Sequence, residues 1–235
     1  MGADQNPDLR ASIASALDWW RDAGVDCEID DAPRDWLARR AAPIVTATSA
    51  AGTLPDTLAA FAAWRIGGDV PEAGWPGAPI AAQGDPASDL MVVVDLPDRD
   101  DVTAGLLMTG PVGILFDAML KAIGRDRSSI YLASIAVKRP PAGRIGDDIG
   151  VILAALMRHH IALVSPKRVL ALGNAASRAL VGADAANARG SSCTLNHERG
   201  TSEVVASFHP RFLRERPAAK ADAWRDLQLL IGSCA

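Results

Sequence analysis

Two polar side chains in this chain stand at the ends of apolar runs. Asp95 follows Leu90-Met91-Val92-Val93-Val94, and His209 follows Val204-Val205-Ala206-Ser207-Phe208. A carboxylate in such a place can orient a water molecule for attack. An imidazole there can donate to an oxygen on which negative charge develops. Each also has a plainer reading. Asp95 would be a solvated loop carboxylate after a strand, and His209 a strand-ending histidine before a basic turn holding Arg211, Arg214 and Arg216. His159, His160 and His197 have no comparable surroundings and form no evident metal set. Cys27, Cys193 and Cys234 lie far apart with no CxxC, which suggests neither a zinc site nor a disulfide framework. Reduced thiols are the expectation. Gly173-Asn174, at a helix start, is a place where a phosphate can sit. A nucleotide-binding reading would rest on that turn alone, because the chain has no GxGxxG or P-loop pattern.

These groups need a scaffold to position them. The 235 residues suffice for one large α/β domain. A composition 49% hydrophobic and 22% charged is that of an ordinary globular chain. No stretch approaches the roughly 20 apolar residues of a membrane span. The N-terminal MGADQNPDLR lacks the basic start and apolar run of a secretory signal, so a cytoplasmic protein is expected. The net charge of −4 conceals an asymmetry. Residues 1–120 carry 7 Lys/Arg against 19 Asp/Glu, and residues 121–235 carry 17 against 9. The basic half offers a face for a polyanion, unless the two halves simply neutralise each other.

Ile13, Leu17 and Trp20 space a short amphipathic helix over residues 8–23. Residues 43–56 and 67–89, rich in Pro, Gly, Ala and Thr, read as loops around a helix near 56–65. From residue 90 strands and helices alternate. Strands are expected at 90–94, 130–137, 169–173 and 204–208, and helices at 111–123, 147–163, 174–180 and 217–231. That order implies a parallel sheet covered on both faces. The loops at the strand C-termini, 95–101, 137–141, 173–174 and 209–214, should then face one crevice, where such sheets bind ligands.

Five segments in register carry a family resemblance: LMVVVDLPD at 90–98, GLLMTGPVGILFDAML at 105–120, IYLASIAVKRPPAGR at 130–144, IALVSPKRVLALG at 161–173, and HPRFLRERPAAKADAWRDL at 209–227. In order, spacing and flanking residues they resemble the bacterial iron–sulfur branch of the uracil-DNA glycosylase superfamily. The resemblance implies a three-layer α/β/α fold with a short, mainly parallel central sheet. It places that domain at 56–235, with residues 1–55 as a helical and loop extension packed on it.

The resemblance also assigns roles. Asp95 falls where the family has a glutamate, and His209 where it has the histidine near the base carbonyl; these are the expected catalytic pair. Leu96, Pro97, Met108 and Ser134 fall at base-pocket positions. Leu96 stands where some branches carry a catalytic aspartate, Met108 where they carry a stacking phenylalanine, and Ser134 where they carry the asparagine that reads uracil. Val94 and Asp98 replace two glycines of the water-holding loop. Met108 can still pack on a flat ring through its sulfur. A hydroxyl at Ser134 cannot present the paired donor and acceptor of an amide. Plain packing remains the alternative for Leu106–Met108 and for Ser134. Leu213 sits at the position that wedges into the duplex. Arg139, Arg211, Arg214, Arg216 and Lys220 complete the expected DNA-binding set, while Asp98, Asp100 and Asp101 should repel phosphate. The cluster ligands of the family align near Trp64, Lys138 and Ile152, none a thiolate. No iron–sulfur cluster, other cofactor or metal is therefore expected.

Two functions follow as expectations. One is a DNA-repair glycosylase, a hydrolase of the N-glycosidic bond with weak or altered specificity for uracil or another deaminated base. The other is a catalytically silent relative that binds DNA or a repair partner. DNA is the expected partner, bound weakly to moderately and in a salt-dependent way, with a repair or replication protein as a further one and no membrane.

Overall fold

A computed structural model describes residues 54–232 together with Ala14, Ser15, Asp18 and Trp19. The chain falls into two compact units, Met1–Ile44 and Val45–Ala235. Of the first, the four described residues are helical and exposed. The rest of the expected 8–23 helix, most of the 43–56 loop, Cys27 and Cys234 lie outside the described residues.

In the second unit the elements run α1 (Leu58–Arg65), β1 (Gln83–Gly84), β2 (Leu90–Val94), α2 (Arg99–Ala104), α3 (Gly110–Ala122), β3 (Tyr131–Ser134), α4 (Asp147–Val164), β4 (Arg168–Leu172), α5 (Asn174–Val181), α6 (Ala185–Ala188), β5 (Ser192–His197), β6 (Gly200–Ser207), α7 (Pro210–Glu215) and α8 (Lys220–Gly232). The sheet has six strands in the order β1-β3-β2-β4-β6-β5. The inner four are parallel, with Val94 opposite both Ser134 and Leu172, and Leu172 opposite Ser207. β1 and β5 add antiparallel edges. The expected mainly parallel sheet is present, and the edge strands are what the sequence reading missed. β5 alternates exposed and less exposed positions over Ser192–His197, the pattern of an edge strand covered on one face. β1 is only two residues long.

The parallel strands are apolar along their whole length because helices cover both faces. Met91, Val93, Val169, Ala171 and Val204 face a core shared with α1, α4 and α5. Val92, Val94, Leu170, Leu172 and Val205 face the other core, with Phe116 and Leu120 of α3 and Leu227 of α8. This is the three-layer α/β/α arrangement. Strand order reverses at β2, whose neighbours are β3 on one side and β4 on the other. A crevice opens at such a reversal, beyond the carboxyl ends of the strands. Asp95 and Gly173 stand there.

Candidate active site

Asp95 leaves the end of β2 and turns into the start of α5. Its Oδ1 accepts from the Ala176 N–H at 2.8 Å. Its carboxylate lies against Gly173, where an added Cβ would stand 2.4 Å from Oδ2. Gly173 adopts φ +109°, so glycine is required there both by space and by backbone. Burial pushes the Asp95 carboxyl up to about 6, although the Ala176 N–H and the Arg211 charge oppose it. The group stays partly open to a cleft of about 430 Å³, lined also by Leu96, Arg144, Asn174, Arg178 and Arg211.

His209 ends the loop after β6 and caps α7. Its Nδ1 accepts from the Arg211 N–H at 3.2 Å. Burial, reinforced by the Arg211 charge and opposed by Asp101, lowers its pKa to about 3. The ring is therefore neutral near pH 7. With Nδ1 an acceptor, the matching tautomer carries its proton on Nε2. Behind it, Asp226 is fully buried and accepts from the Ser207 hydroxyl at 2.7 Å, Arg189 Nε at 3.2 Å and the Gly190 N–H at 3.2 Å. That tie fixes the end of β6 to α8. Phe208 and Phe212 stack at 4.8 Å, with Arg189 over one ring and Arg216 over the other.

The first loop is not the repulsive surface expected from its aspartates. Asp98 pairs with Arg211, and Arg139 Nη1 donates to it at 3.4 Å and to the Pro97 carbonyl at 2.9 Å. Burial raises the Asp98 pKa, with Arg211 as the chief opposing influence. Asp101 is buried and accepts from the Thr109 N–H and hydroxyl, both at 2.7 Å, and from the Asp98 N–H at 2.9 Å. Two of the three carboxylates are thus committed inside the protein, which leaves Asp100 exposed. The same contacts engage Arg139 and Arg211 in holding the loop. Arg211 is the group common to both expected catalytic residues, since its charge acts on Asp95 and on His209.

The expected base-pocket residues are present but packed. Leu96, Pro97, Met108 and Ser134 are all buried. Met108 holds a left-handed φ of 55°, uncommon for a residue with a side chain. Arg127 anchors that turn through the carbonyls of Leu107 and Met108. Gly113 approaches so closely that an added Cβ would stand 2.1 Å from the Met108 carbonyl oxygen. Leu107 and Met108 are core residues, whereas Leu106 is 52% exposed. The Ser134 hydroxyl is buried with no hydrogen-bond partner among the described residues. Met108, Ser134 and His209 do not line the Asp95 cleft.

Leu213, expected as a wedge, is 1% exposed. α7 turns that side chain inward, beside Leu115 and Met119 of α3 and Leu227 of α8. It is a packing residue here, because a side chain inside the protein cannot enter a duplex. Arg214, Arg216 and Lys220 are exposed. Arg144 and Arg178 line the cleft, and neither was expected. Arg144 closes the IYLASIAVKRPPAGR block, which gave it a position but no role, and Arg178 carries no signal.

The residues that the resemblance sets at the family's cluster positions, Trp64, Lys138 and Ile152, offer no thiolate for iron and sulfide. Lys138 Nζ donates to the carbonyls of Ala73 at 3.2 Å and Trp75 at 3.3 Å. Ile152 is 48% exposed, and none of the three side chains is a thiolate. Nearby, Arg65 grips the fully buried Glu72 through two hydrogen bonds, at 2.8 and 2.9 Å, and donates to the Ile135 carbonyl at 2.9 Å. Among the described residues no group of three or more His, Cys, Asp or Glu could hold a metal ion, and no helix is long and apolar enough to cross a membrane.

Comparison with known proteins agrees with this architecture. The family model described as "Uracil DNA glycosylase superfamily" matches residues 81–228. A curated protein of Pyrobaculum aerophilum, named a type-4 uracil-DNA glycosylase, is 23% identical over 161 residues, covering 65% of this chain and 82% of the relative. The family match begins before β1 and ends within α8, so it takes in the whole parallel sheet and the loops at its carboxyl edge. The chain belongs to the uracil DNA glycosylase superfamily.

Proposed function

We propose that this chain is a DNA-repair protein that removes a deaminated base from DNA, slowly and with relaxed preference. The observation that carries the reading is the state of His209. A buried, neutral imidazole whose Nδ1 accepts a backbone N–H has its Nε2 proton available for a base carbonyl on which charge grows as the glycosidic bond breaks. Such a donor is worth roughly a hundredfold or more in rate when preorganised.

The base must first leave the stack. Asp95 is the group in the first loop that can take a proton from water. A carboxyl held near 6 is largely ionised at neutral pH, yet more basic than an ordinary carboxylate. At the position of the family's amide stands Ser134, whose buried hydroxyl does not line the Asp95 cleft, so no matched donor and acceptor meet a base edge there. Loss of that matched pair is the basis for the relaxed preference.

A second reading, a silent DNA-binding relative, draws on Leu96 and Met108. Leu96 brings no carboxylate to the position where some branches have one, and Met108 brings no aromatic ring. Single- and double-stranded DNA bearing uracil or hypoxanthine, incubated with the protein and scored for abasic sites, separates the two. Slow abasic-site formation on either base supports excision. None on any substrate, with DNA still bound, supports the silent relative.

A further inference from the structure

The Asp95 cleft does not end at Arg178. A second hollow of about 250 Å³ shares Ile145, Gly146, Asp147, Ala175 and Arg178 with it. Together they form one trough between the start of α4 and α5. The two ends differ in chemistry. One holds the guanidinium groups of Arg144, Arg178 and Arg211. The other is floored by Ile135, Val151, Ala154 and Ala179. Three cations face two carboxylates, Asp95 and Asp147. Arg144 makes no hydrogen bond or ion pair among the described residues. Arg178 meets Asp184 at 3.3 Å across an exposed edge, and Arg211 meets Asp98.

We propose that this trough is a nucleotide subsite for a single strand of DNA, with a phosphate against Arg144, Arg178 and Arg211 and a base over Val151, Ala154 and Ala179. Guanidinium groups suit phosphate through their planar forks. An apolar floor of small residues lets a flat base approach closely. Asp95 stands at the edge of the subsite, while Met108, Ser134 and His209 do not line it. It takes a strand rather than a free nucleotide because the Ala176 amide at the start of α5 already serves Asp95. Only long, flexible side chains remain to meet a phosphate. Such contacts gain affinity when neighbouring phosphates are held as well, and Arg211 adjoins the basic turn at Arg214 and Arg216. The proposal rests on the reading that the chain acts on DNA, and it adds where an undamaged neighbouring nucleotide sits.

Two variants test the two ends. An added Cβ at Gly150 would stand 3.6 Å from Ile145 Cγ2, an ordinary contact. Gly150→Leu therefore fills the apolar end while favouring the α4 helix. Arg178→Ala removes a cation from an exposed position. Binding is read at low salt by fluorescence anisotropy on two labelled strands of about twelve units, one of thymidine and one of abasic spacers. Arg178→Ala should weaken both strands alike. Gly150→Leu should weaken the thymidine strand about fivefold and leave the spacer strand unchanged. Thymidine 5′-monophosphate should not displace the strand at comparable concentration.

Equal effects of Gly150→Leu on both strands, or none on either, would overturn the base end. Unchanged binding in Arg178→Ala would overturn the phosphate end, and displacement by the mononucleotide would overturn the strand assignment. If the unmodified protein binds neither strand, the DNA reading itself fails. Binding that ignores both variants sinks the subsite alone.

Discussion

Glu72 and Asp95 are both carboxylates beside the same sheet, and they differ in how completely the protein answers their charge. Glu72 is fully buried, receives two hydrogen bonds from Arg65, and accepts from the Val137 N–H at 3.2 Å. Asp95 is answered by a helix N-terminus and a more distant guanidinium, and it keeps an opening to the cleft. A carboxylate with every lone pair matched is a structural tie. One left raised and reachable has basicity to spend on chemistry. The same contrast separates Asp226 and Asp101, committed to internal donors, from Asp95.

The largest effect should come from breaking the complete tie. Glu72→Ala leaves Arg65 buried without its partner, and removing one member of a buried pair costs about 3–5 kcal/mol. Urea denaturation should show that loss, and a loss below about 1 kcal/mol would mean the tie is not structural. Next comes the glycine beneath Asp95. Gly173→Ala forces a side chain into φ +109° and into the carboxylate, at a cost of roughly 1–3 kcal/mol. Adding Asp95→Ala should restore part of that loss by relieving the clash, so the two changes should not be additive.

The pH dependence sharpens the comparison further. The folded-state pKa of Asp95, about 6, lies above its ordinary value of 3.8. The folded protein therefore binds more protons than the unfolded chain between those values, and this group lowers stability as pH rises from about 4 to 6. His209 and His160 act in the opposite sense. Each has a folded pKa of about 3 against an ordinary 6.5, so the stability they allow at neutral pH is lost as pH falls from 6.5 toward 3. Asp95→Asn should raise the melting temperature at pH 8, leave it unchanged below pH 4, and make the acid loss from the histidines steeper. An unaltered profile in that variant would show that Asp95 is not held above its ordinary range. The smallest effect belongs to the exposed turn. Arg214→Ala should lower the salt slope of DNA binding by about one unit without changing the fold. Arg216, which also covers Phe212, should cost packing as well.

The scaffold was legible because its signal is local. Val92, Leu170 and Val205 belong to apolar runs bounded by turn residues, and five blocks kept their order and spacing. The edge strands were not, since β1 is two residues long and four of the six residues of β5 are polar. α2, with its Arg99-Asp100-Asp101 start, carries no apolar stripe; its N-terminus depends on the Asp101 carboxylate reaching back to the Asp98 N–H. The site was legible only as positions. That Asp95 and His209 end strands follows from sequence, but their altered pKa values follow from burial, which Arg211 reinforces at His209 and opposes at Asp95, and sequence cannot supply either. The inward turn of Leu213 and the pairing of Asp98 with two arginines are tertiary facts of the same kind. Arg65 and Glu72 lie seven residues apart across a loop, and nothing in their spacing announces a tie.

Asp95 activating water and His209 donating to the departing base together make up the proposed chemistry. Single-turnover release of uracil from single-stranded DNA, measured across pH for the unmodified protein, His209→Ala and Asp95→Ala, tests it most directly. Slow release is expected, at a rate that rises through about pH 6 and then levels, as Asp95 ionises. Each variant should lose roughly a hundredfold, without their losses multiplying in the double variant. Rapid release that neither substitution diminishes would contradict it.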